Sequence, residues 1–409
     1  MTEFIDTVII GGGQAGLSLS YYLSRQGRSH VVLEKANAPG SAWRQRWDSF
    51  TFVTPNWTIR LPGAEYAGPD PDGYLPRDGI IKLFETYVQQ QHLPVRYGVE
   101  VTAVRPTTGG YEVESNGQPI LATNVVVATG SFQSPKIPAF SANLAPAIHQ
   151  RHSGQYRNPS QLADGAVLIV GSAQSGCQIA EELYQNGRKV YLSLGSSAGR
   201  APRRYRGRDT FWWLVQAGFF DRTVDKLPSL KARFAGNPQL TGSGGGHALN
   251  VHQFARDGVG LLGRLQNLEG QTAFFASDLH ESLVKIDKLE NDLLKMIDDY
   301  ISKNDLDAPP ESIAQLRDGY DVPIVTELDL AAANVTTLIW ACGYAFDYSF
   351  ISLPMFDEMG YPIQQRGVTQ YPGLYFLGLH WLHTAKSTLL LGVAEDAAYL
   401  ADHIAAHTK

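Results

Sequence analysis

At 409 residues the chain is too long for one small core, and at about 100 to 200 residues per domain it divides into two or three. Its 34 basic and 40 acidic residues leave a formal charge of −6 with no long single-sign run, which gives neither nucleic acid nor an anionic membrane much to hold and leaves a small molecule as the expected partner. Two cysteines, Cys177 and Cys342, each inside an apolar segment and never as Cys-x-x-Cys, argue against a disulfide framework and for reduced thiols. The N-terminus lacks the basic start and cleavage site of a signal peptide, and no run of about 18 apolar residues is long enough to span a bilayer, so a cytoplasmic protein is expected.

In chain order, Thr7–Ile10 reads as a short buried strand, residues 11–16 as a glycine turn, Leu17–Gln26 as a helix and His30–Leu33 as a second strand. This is a βαβ unit. From Trp43 to Pro76 the pattern gives way to Gly, Pro, Asp and aromatic residues, the composition of a long loop that either wraps a ligand or is simply irregular. A helix follows over Ile80–Gln91, then strands at Val99–Val104, Tyr111–Val113 and Val125–Ala128, and Ser134–Pro138 carries two prolines that stiffen an exit from the first domain. Val167–Val170 starts the same grammar again, with a turn at 171–176, a helix over Cys177–Asn186 and a strand over Lys189–Leu194. Residues 195–263 are rich in Gly, Arg and aromatics, and Ser282–Lys303 has helical spacing of Leu283, Ile286, Leu289, Leu293, Met296, Ile297 and Ile301, a core-packing stripe. Strands at Thr337–Ala341 and Leu374–Leu377 and a helix over Leu390–Ala405 close the chain.

The two glycine turns carry the chemistry. Gly11-x-Gly13-x-x-Gly16 stands between a strand and a helix, where glycine allows a tight turn and close backbone approach, and where the helix N-terminus faces a pyrophosphate. Glu34, eighteen residues after Gly16 at the end of the second strand, is placed to accept from the 2′- and 3′-hydroxyls of an adenosine ribose and would repel a 2′-phosphate, so FAD or NAD fits there. The second turn, Gly171-Ser172-Ala173-Gln174-Ser175-Gly176, is followed at the same distance by Leu194, beside Ser193, and the next carboxylate after Leu194 is Asp209. Arg200, Arg203, Arg204, Arg206 and Arg208 lie between, and guanidinium forks suit a ribose 2′-phosphate, which points to NADPH; a solvated arginine loop is the alternative.

Several further motifs fall in a fixed order: Gly40-Ser41-Ala42-Trp43-Arg44, Val127-Ala128-Thr129-Gly130, Ala341-Cys342-Gly343-Tyr344 and Pro372-Gly373-Leu374-Tyr375-Phe376-Leu377-Gly378. With the two turns they resemble the class B flavoprotein monooxygenases, the flavin-containing monooxygenase group with its Baeyer-Villiger and N-hydroxylating relatives, over nearly the whole chain. Residues 45–50, 53–57 and 205–209 are similar to a little-characterised bacterial subgroup of flavin-dependent oxidoreductases. The family fingerprint Phe-x-Gly-x-x-x-His is broken here, since Phe140 is followed by Ala142 and a longer insert, while His152-Ser153-Gly154-Gln155-Tyr156-Arg157 keeps the second half without the Trp of Baeyer-Villiger enzymes.

The resemblance implies an α/β protein of two dinucleotide-binding, Rossmann-like three-layer domains, the NADPH domain inserted into the FAD domain. Residues 1–160 would be the first part of the FAD domain, 161–330 the NADPH domain with a helical insertion, and 331–409 the return to the FAD domain. It implies cofactor contacts at Gly11, Gly13, Gln14, Ala15, Gly16, Glu34, Lys35, Trp43, Arg44, Val101, Thr129 and Gly130, at Gly171, Ser172, Ala173, Gln174, Ser175, Gly176, Ser193, Arg203 and Arg204, and at Cys342, Gly343 and Gly378. NADPH would reduce the flavin, dioxygen would add at C4a, and the hydroperoxide would pass one oxygen atom to a small molecule, at nitrogen or sulfur rather than at a ketone. Thr54 and Asn56 lie where the family loop approaches the flavin; Asn56 would bond the peroxide or the nicotinamide ribose, or else close an Asx-type turn after Pro55. Trp212, Trp213, Phe219 and Phe220 are candidates for an apolar pocket or for core. His380 and His383 lack a companion carboxylate motif, so no metal is expected. The resemblance leaves room for a homodimer. A flavin dehydrogenase without oxygen transfer is the second reading, and a non-catalytic flavin-binding regulator the third.

Overall fold

The computed structural model describes residues 2–195, 199–234 and 238–407. Two sheets organise it, one mixed and one parallel. The first takes β1 (Glu3–Ile10), β2 (His30–Glu34), β3 (Val95–Tyr97), β4 (Val101–Thr107), β5 (Gly110–Ser115) and β6 (Ile120–Val127) in the order β3-β2-β1-β6-β5-β4. β3, β2, β1 and β6 run parallel, whereas β6, β5 and β4 form an antiparallel meander. The second sheet is parallel throughout: β7 (His149–His152), β8 (Ala166–Val170), β9 (Val190–Ser193), β10 (Gly260–Leu262) and β11 (Val335–Trp340) lie in the order β7-β11-β8-β9-β10. A last strand, β12 (Leu374–Phe376), returns to the first sheet and pairs parallel with β6.

The sheets divide the chain differently from boundaries at 160 and 330. The edge strand β7 and the central strand β11 both belong to the second sheet, so the crossings fall between β6 and β7 and between β11 and β12. Short strands at Ser134–Pro135 and Tyr344–Ala345 pair antiparallel along these two crossings.

Each strand centre is apolar because both faces are covered: in the second sheet Val167 and Ile169 pack with Cys177, Ile179 and Leu283, and Leu168 and Val170 with Leu265, Leu268 and Phe275. Val8, Ile9, Val125 and Val126 are fully buried, as are Leu168, Ile169, Leu338 and Ile339 in the second sheet; such burial contributes roughly 1.5–3 kcal/mol per side chain. The helix α1 (Gln14–Arg25) follows β1 and α2 (Arg77–Gln90) precedes β3, while α3 (Gln174–Gln185) follows β8. α1 starts at Gln14 rather than Leu17, since its first turn is the glycine turn itself. The long helix α4 (Leu279–Lys303) buries Leu283, Ile286, Leu293, Ile297 and Ile301, the expected stripe. The closing helix α5 (Val393–His407) begins three residues later than Leu390 because Leu389–Gly392 closes a turn through the Gly392 N–H to the Leu389 carbonyl. Residues 43–76 are irregular but packed: Trp47, Phe50, Phe52, Ile59 and Leu61 all enter the second large core.

Candidate active site: two glycine turns and the cleft beside them

Strand register brings the motifs to common levels. Ile10 pairs with Leu33 and with Val127, so Gly11, Glu34 and Ala128 leave the first sheet together at its carboxyl edge. Val170 pairs with Ser193 and with Trp340, so Gly171, Leu194 and Ala341 leave the second sheet in the same way. In open parallel sheets this edge is where ligands bind.

The turns share their backbone. Gly11 has φ +109° and Gly171 φ +107°, and a Cβ on either would stand 2.5 Å from the carbonyl of Ala128 or Ala341. A Cβ on Gly16 or Gly176 would lie 2.0 or 1.9 Å from the carbonyl oxygen of Gly11 or Gly171, so these four glycines are required by the fold before any ligand arrives. Gly13 differs: a Cβ there meets nothing within 4 Å. It caps α1 and faces open space, as its counterpart Ala173 caps α3. Alanine at that second cap therefore costs the fold nothing and only narrows the approach to a phosphate.

Beyond the turns the two sites part. Glu34 is buried beside the first turn, accepting from the Gly12 N–H at 2.7 Å and the Ala36 N–H at 2.9 Å. Its carboxylate is thereby fixed against the turn. Val99 donates to the Glu34 carbonyl at 3.0 Å, which places Val101 near the same edge, and Lys35 is exposed next to it. Gln14 donates to the Thr388 carbonyl. A Cβ on Gly378 would lie 2.5 Å from that of Ala15, so the segment following β12 lies on the first turn. Gln133 donates to Thr129 Oγ1 and to the Gly130 carbonyl, both at 2.8 Å. Trp43 packs among Phe50, Phe52 and Phe84, and Arg44 is exposed, paired with Glu85 at 2.6 Å.

At the second turn Leu194 is fully buried, and the Ser193 hydroxyl is consumed internally: it donates to the Gly263 carbonyl at 2.9 Å and accepts from the Leu265 N–H at 3.1 Å. The Ser193 hydroxyl is thus tied to the 263–265 segment. Gly195 donates to Ser172 Oγ, and Gln174 clasps Leu240 through both its amide atoms. Ser175 is half-buried in the first turn of α3. Cys342 lies beside the Val170 carbonyl, and Gly343, at φ +79°, is held by His152 Nε2 at 3.0 Å from its carbonyl. Burial pushes the Cys177 thiol up to about 12, which leaves it inert.

The arginine group does not act as one. Arg200 is 2 % exposed and pairs with Glu290 at 2.5 Å and Asp287 at 3.1 Å on α4. Arg203, expected at the 2′-phosphate, is buried as well: it meets Asp209 through Nε and a terminal nitrogen at 2.7 Å, donates to the Val53 carbonyl at 2.7 Å and stacks on Tyr74 at 4.5 Å. A guanidinium placed so is a structural tie between the 51–76 loop and the second unit. Arg206 pairs with Asp298 and Arg208 lies over Trp212. Arg204, opposite Asp209 in a two-residue hairpin, is exposed. No spacing rule could have separated Arg204 from Arg203; the hairpin register does.

Asn56 is 2 % exposed and spends its amide on the loop, donating to the Asp70 carbonyl at 2.9 Å and accepting from the Leu75 N–H at 2.8 Å. Neither bond closes an Asx-type turn after Pro55; both reach along the loop and tie Asn56 to its 70–75 segment. Thr54 shares a 2.6 Å hydrogen bond with Thr58. Trp213 and Phe220 are core, Trp213 donating to the Tyr205 carbonyl, while Phe219 lies at the margin beneath Arg222. Burial lowers the pKa of His380, and among the described residues no group of three or more His, Cys, Asp or Glu side chains could hold a metal ion. Among the same residues no helix is long and apolar enough to cross a membrane.

Two sheets, each ending in a glycine turn with a linker alanine against it, define a two-dinucleotide oxidoreductase. Residues 8–205 match the family model described as pyridine nucleotide-disulphide oxidoreductase. An uncharacterized CzcO-like oxidoreductase from Geobacillus kaustophilus is 33% identical over 410 aligned positions, covering 100% of both chains. The chain belongs to this family of CzcO-like oxidoreductases. Indole-3-pyruvate monooxygenase YUCCA1 from Oryza sativa is 29% identical over 50% of this chain and 51% of its own. In fold, a flavin-containing monooxygenase from Stenotrophomonas maltophilia superposes with TM-score 0.68 at 20% identity over 100% of each chain.

Proposed function

We propose that the chain is an FAD- and NADPH-dependent monooxygenase that transfers one atom of dioxygen to nitrogen or sulfur of a small molecule, by way of a flavin C4a-hydroperoxide. The balance is one NADPH, one proton, one O2 and one substrate giving NADP+, water and the oxygenated product. The observation that carries the reading is the difference between the turns at equal register. The first faces a fixed carboxylate suited to ribose hydroxyls; the second faces apolar Leu194, with no fixed carboxylate in that place.

The residues fit the groups. Gly11, Gly13 and Gly16 leave room for a pyrophosphate at the N-terminus of α1, Glu34 would take the ribose hydroxyls, and Gln14, Ala15, Thr129, Gly130 and Gly378 line the same edge. Bound FAD would supply the oxygen-activating chemistry. Gly171, Ala173, Gln174 and Gly176 would receive the second dinucleotide, with Arg204 as the exposed cation for its 2′-phosphate. The aromatic shell of Trp43, Phe50 and Phe52 would keep water from the flavin side. The sheet topology supports an FAD unit made of the residues before the first crossing and after the second, and an NADPH unit made of those between.

The test is stopped-flow spectroscopy of the purified protein, reduced by NADPH and then mixed with oxygen. A long-lived flavin–oxygen adduct band, and a thioether converted to its sulfoxide, is the expected result. Immediate return of oxidised flavin without product leaves a dehydrogenase or a peroxide-leaking oxidase.

A further inference from the structure

We infer that the substrate is an organic acid and that Arg222 binds its carboxylate; this rests on the monooxygenase reading and names the substrate class of that site. Arg222 lies where the two units meet next to the first turn. The antiparallel bridge Thr223–Thr384, the Ala385 N–H on the Arg222 carbonyl at 3.1 Å and the Val224 N–H on the His383 carbonyl at 3.0 Å fasten residues 222–224 to the segment after β12. That segment is the one whose Gly378 and Thr388 lie against Ala15 and Gln14 of the first turn. Arg222 is therefore anchored to the segment that lies on the first turn and does not swing on a free loop.

Arg222 is exposed, and its Cζ lies 3.8 Å from the ring centroid of Phe219 and 5.6 Å from that of Trp381. Nε is spent on the Phe219 carbonyl at 2.9 Å. Trp381 holds φ +53°, a conformation rare for a bulky residue. The neighbouring cation Lys386 is neutralised, taking Asp221 at 2.8 Å and Glu395 at 2.6 Å. Among the described residues no carboxylate pairs with Arg222, although Asp221 is adjacent in sequence, and desolvation lowers its pKa with no acid to counter it. A cation beside two aromatic rings, with the two terminal nitrogens of its fork unspent among the described residues, matches one planar carboxylate at the end of an apolar body. The fork selects the acid group, and Phe219 and Trp381 take the carbon next to it.

The probe pair is (phenylthio)acetate and (phenylthio)acetamide, which share ring, sulfur and shape and differ in charge. Isothermal calorimetry on the holoenzyme should show the acid binding about tenfold tighter than the amide, or more. Arg222→Met should bring the two within about twofold, and Arg222→Lys should keep an intermediate preference, since it retains the charge without the fork. Equal binding of acid and amide to the unaltered enzyme overturns the inference, and so does an acid preference that survives in Arg222→Met. A loss of NADPH affinity in Arg222→Met with acid binding intact would also overturn it, by giving Arg222 to the nucleotide. Flavin content and NADPH oxidation of the same preparation decide the underlying reading separately: a colourless protein that consumes no NADPH sinks that reading, whereas a yellow, NADPH-oxidising protein without acid preference sinks only this inference.

Discussion

The two glycine turns have the same backbone and opposite surroundings. Gly11 and Gly171 match to within two degrees in φ, and each is pressed against a linker alanine at the same distance. Yet Glu34 is aimed at the first turn by two backbone N–H groups, while at the second Leu194 is buried and Ser193 is tied to the 263–265 segment. The shared part is what any dinucleotide pyrophosphate needs. The unshared part lies one strand away, at the tip of β2 or β9, and on the proposed reading it is there that one nucleotide would be told from another.

The sharpest way to break the comparison is inside the first turn. Gly11→Ala forces a side chain into positive φ and against the Ala128 carbonyl, so loss of both fold stability, by more than ~3 kcal/mol, and of FAD is expected. Gly13→Ala has open space around it and should keep its melting temperature while binding FAD less well. Equal damage by both would mean that Gly13 is structural too. Next come the adjacent arginines. Arg203→Ala strands Asp209 in the interior and should cost ~3–5 kcal/mol in chemical denaturation. Arg204→Ala should leave stability alone and raise the KM for NADPH about tenfold, the equivalent of a charge-assisted contact. A reversed pattern, with NADPH use lost only in Arg203→Ala, would return the phosphate to Arg203.

Glu34→Gln tests the first turn's selectivity: a weaker acceptor for ribose hydroxyls should lower FAD affinity by about tenfold, read by flavin release on dilution. Asn56→Ala orphans the Leu75 N–H and should cost ~1–3 kcal/mol, with the return of oxidised flavin unchanged if the side chain serves only the loop.

The smallest effect distinguishes α3 from α1. His247 hydrogen-bonds Glu181 of α3 at 2.7 Å, which raises its pKa against the opposing desolvation. A raised folded pKa means the contribution is whole below about pH 6.5 and is lost as pH climbs through the raised value. With the imidazole 42% exposed, the contribution is under ~1 kcal/mol. Melting curves from pH 6 upward should therefore fall slightly more steeply for the unaltered protein than for Glu181→Gln; parallel curves would show that the pair does not titrate there.

Local grammar is written along the chain. Strand, glycine turn and helix are adjacent in the chain, and their period and small residues are physical requirements of a tight βα junction, so both units and the position of Glu34 are legible along the chain alone. The apolar stripe of α4 was legible for the same reason, being a property of one helix. Only the tertiary structure decided what distant residues do to one another. Parallel pairing placed β7 and β11 in the second sheet although they lie outside 161–330 in sequence, because strand partners are chosen across the fold and not along it. Of five arginines with identical chemistry, burial against Asp209, Glu290 and Asp287 made Arg203 and Arg200 structural and left Arg204 and Arg208 outside. Arg222 carried no motif at all. A side chain's charge is written in the sequence, but whether a carboxylate neutralises it is settled by what the folded chain brings within reach.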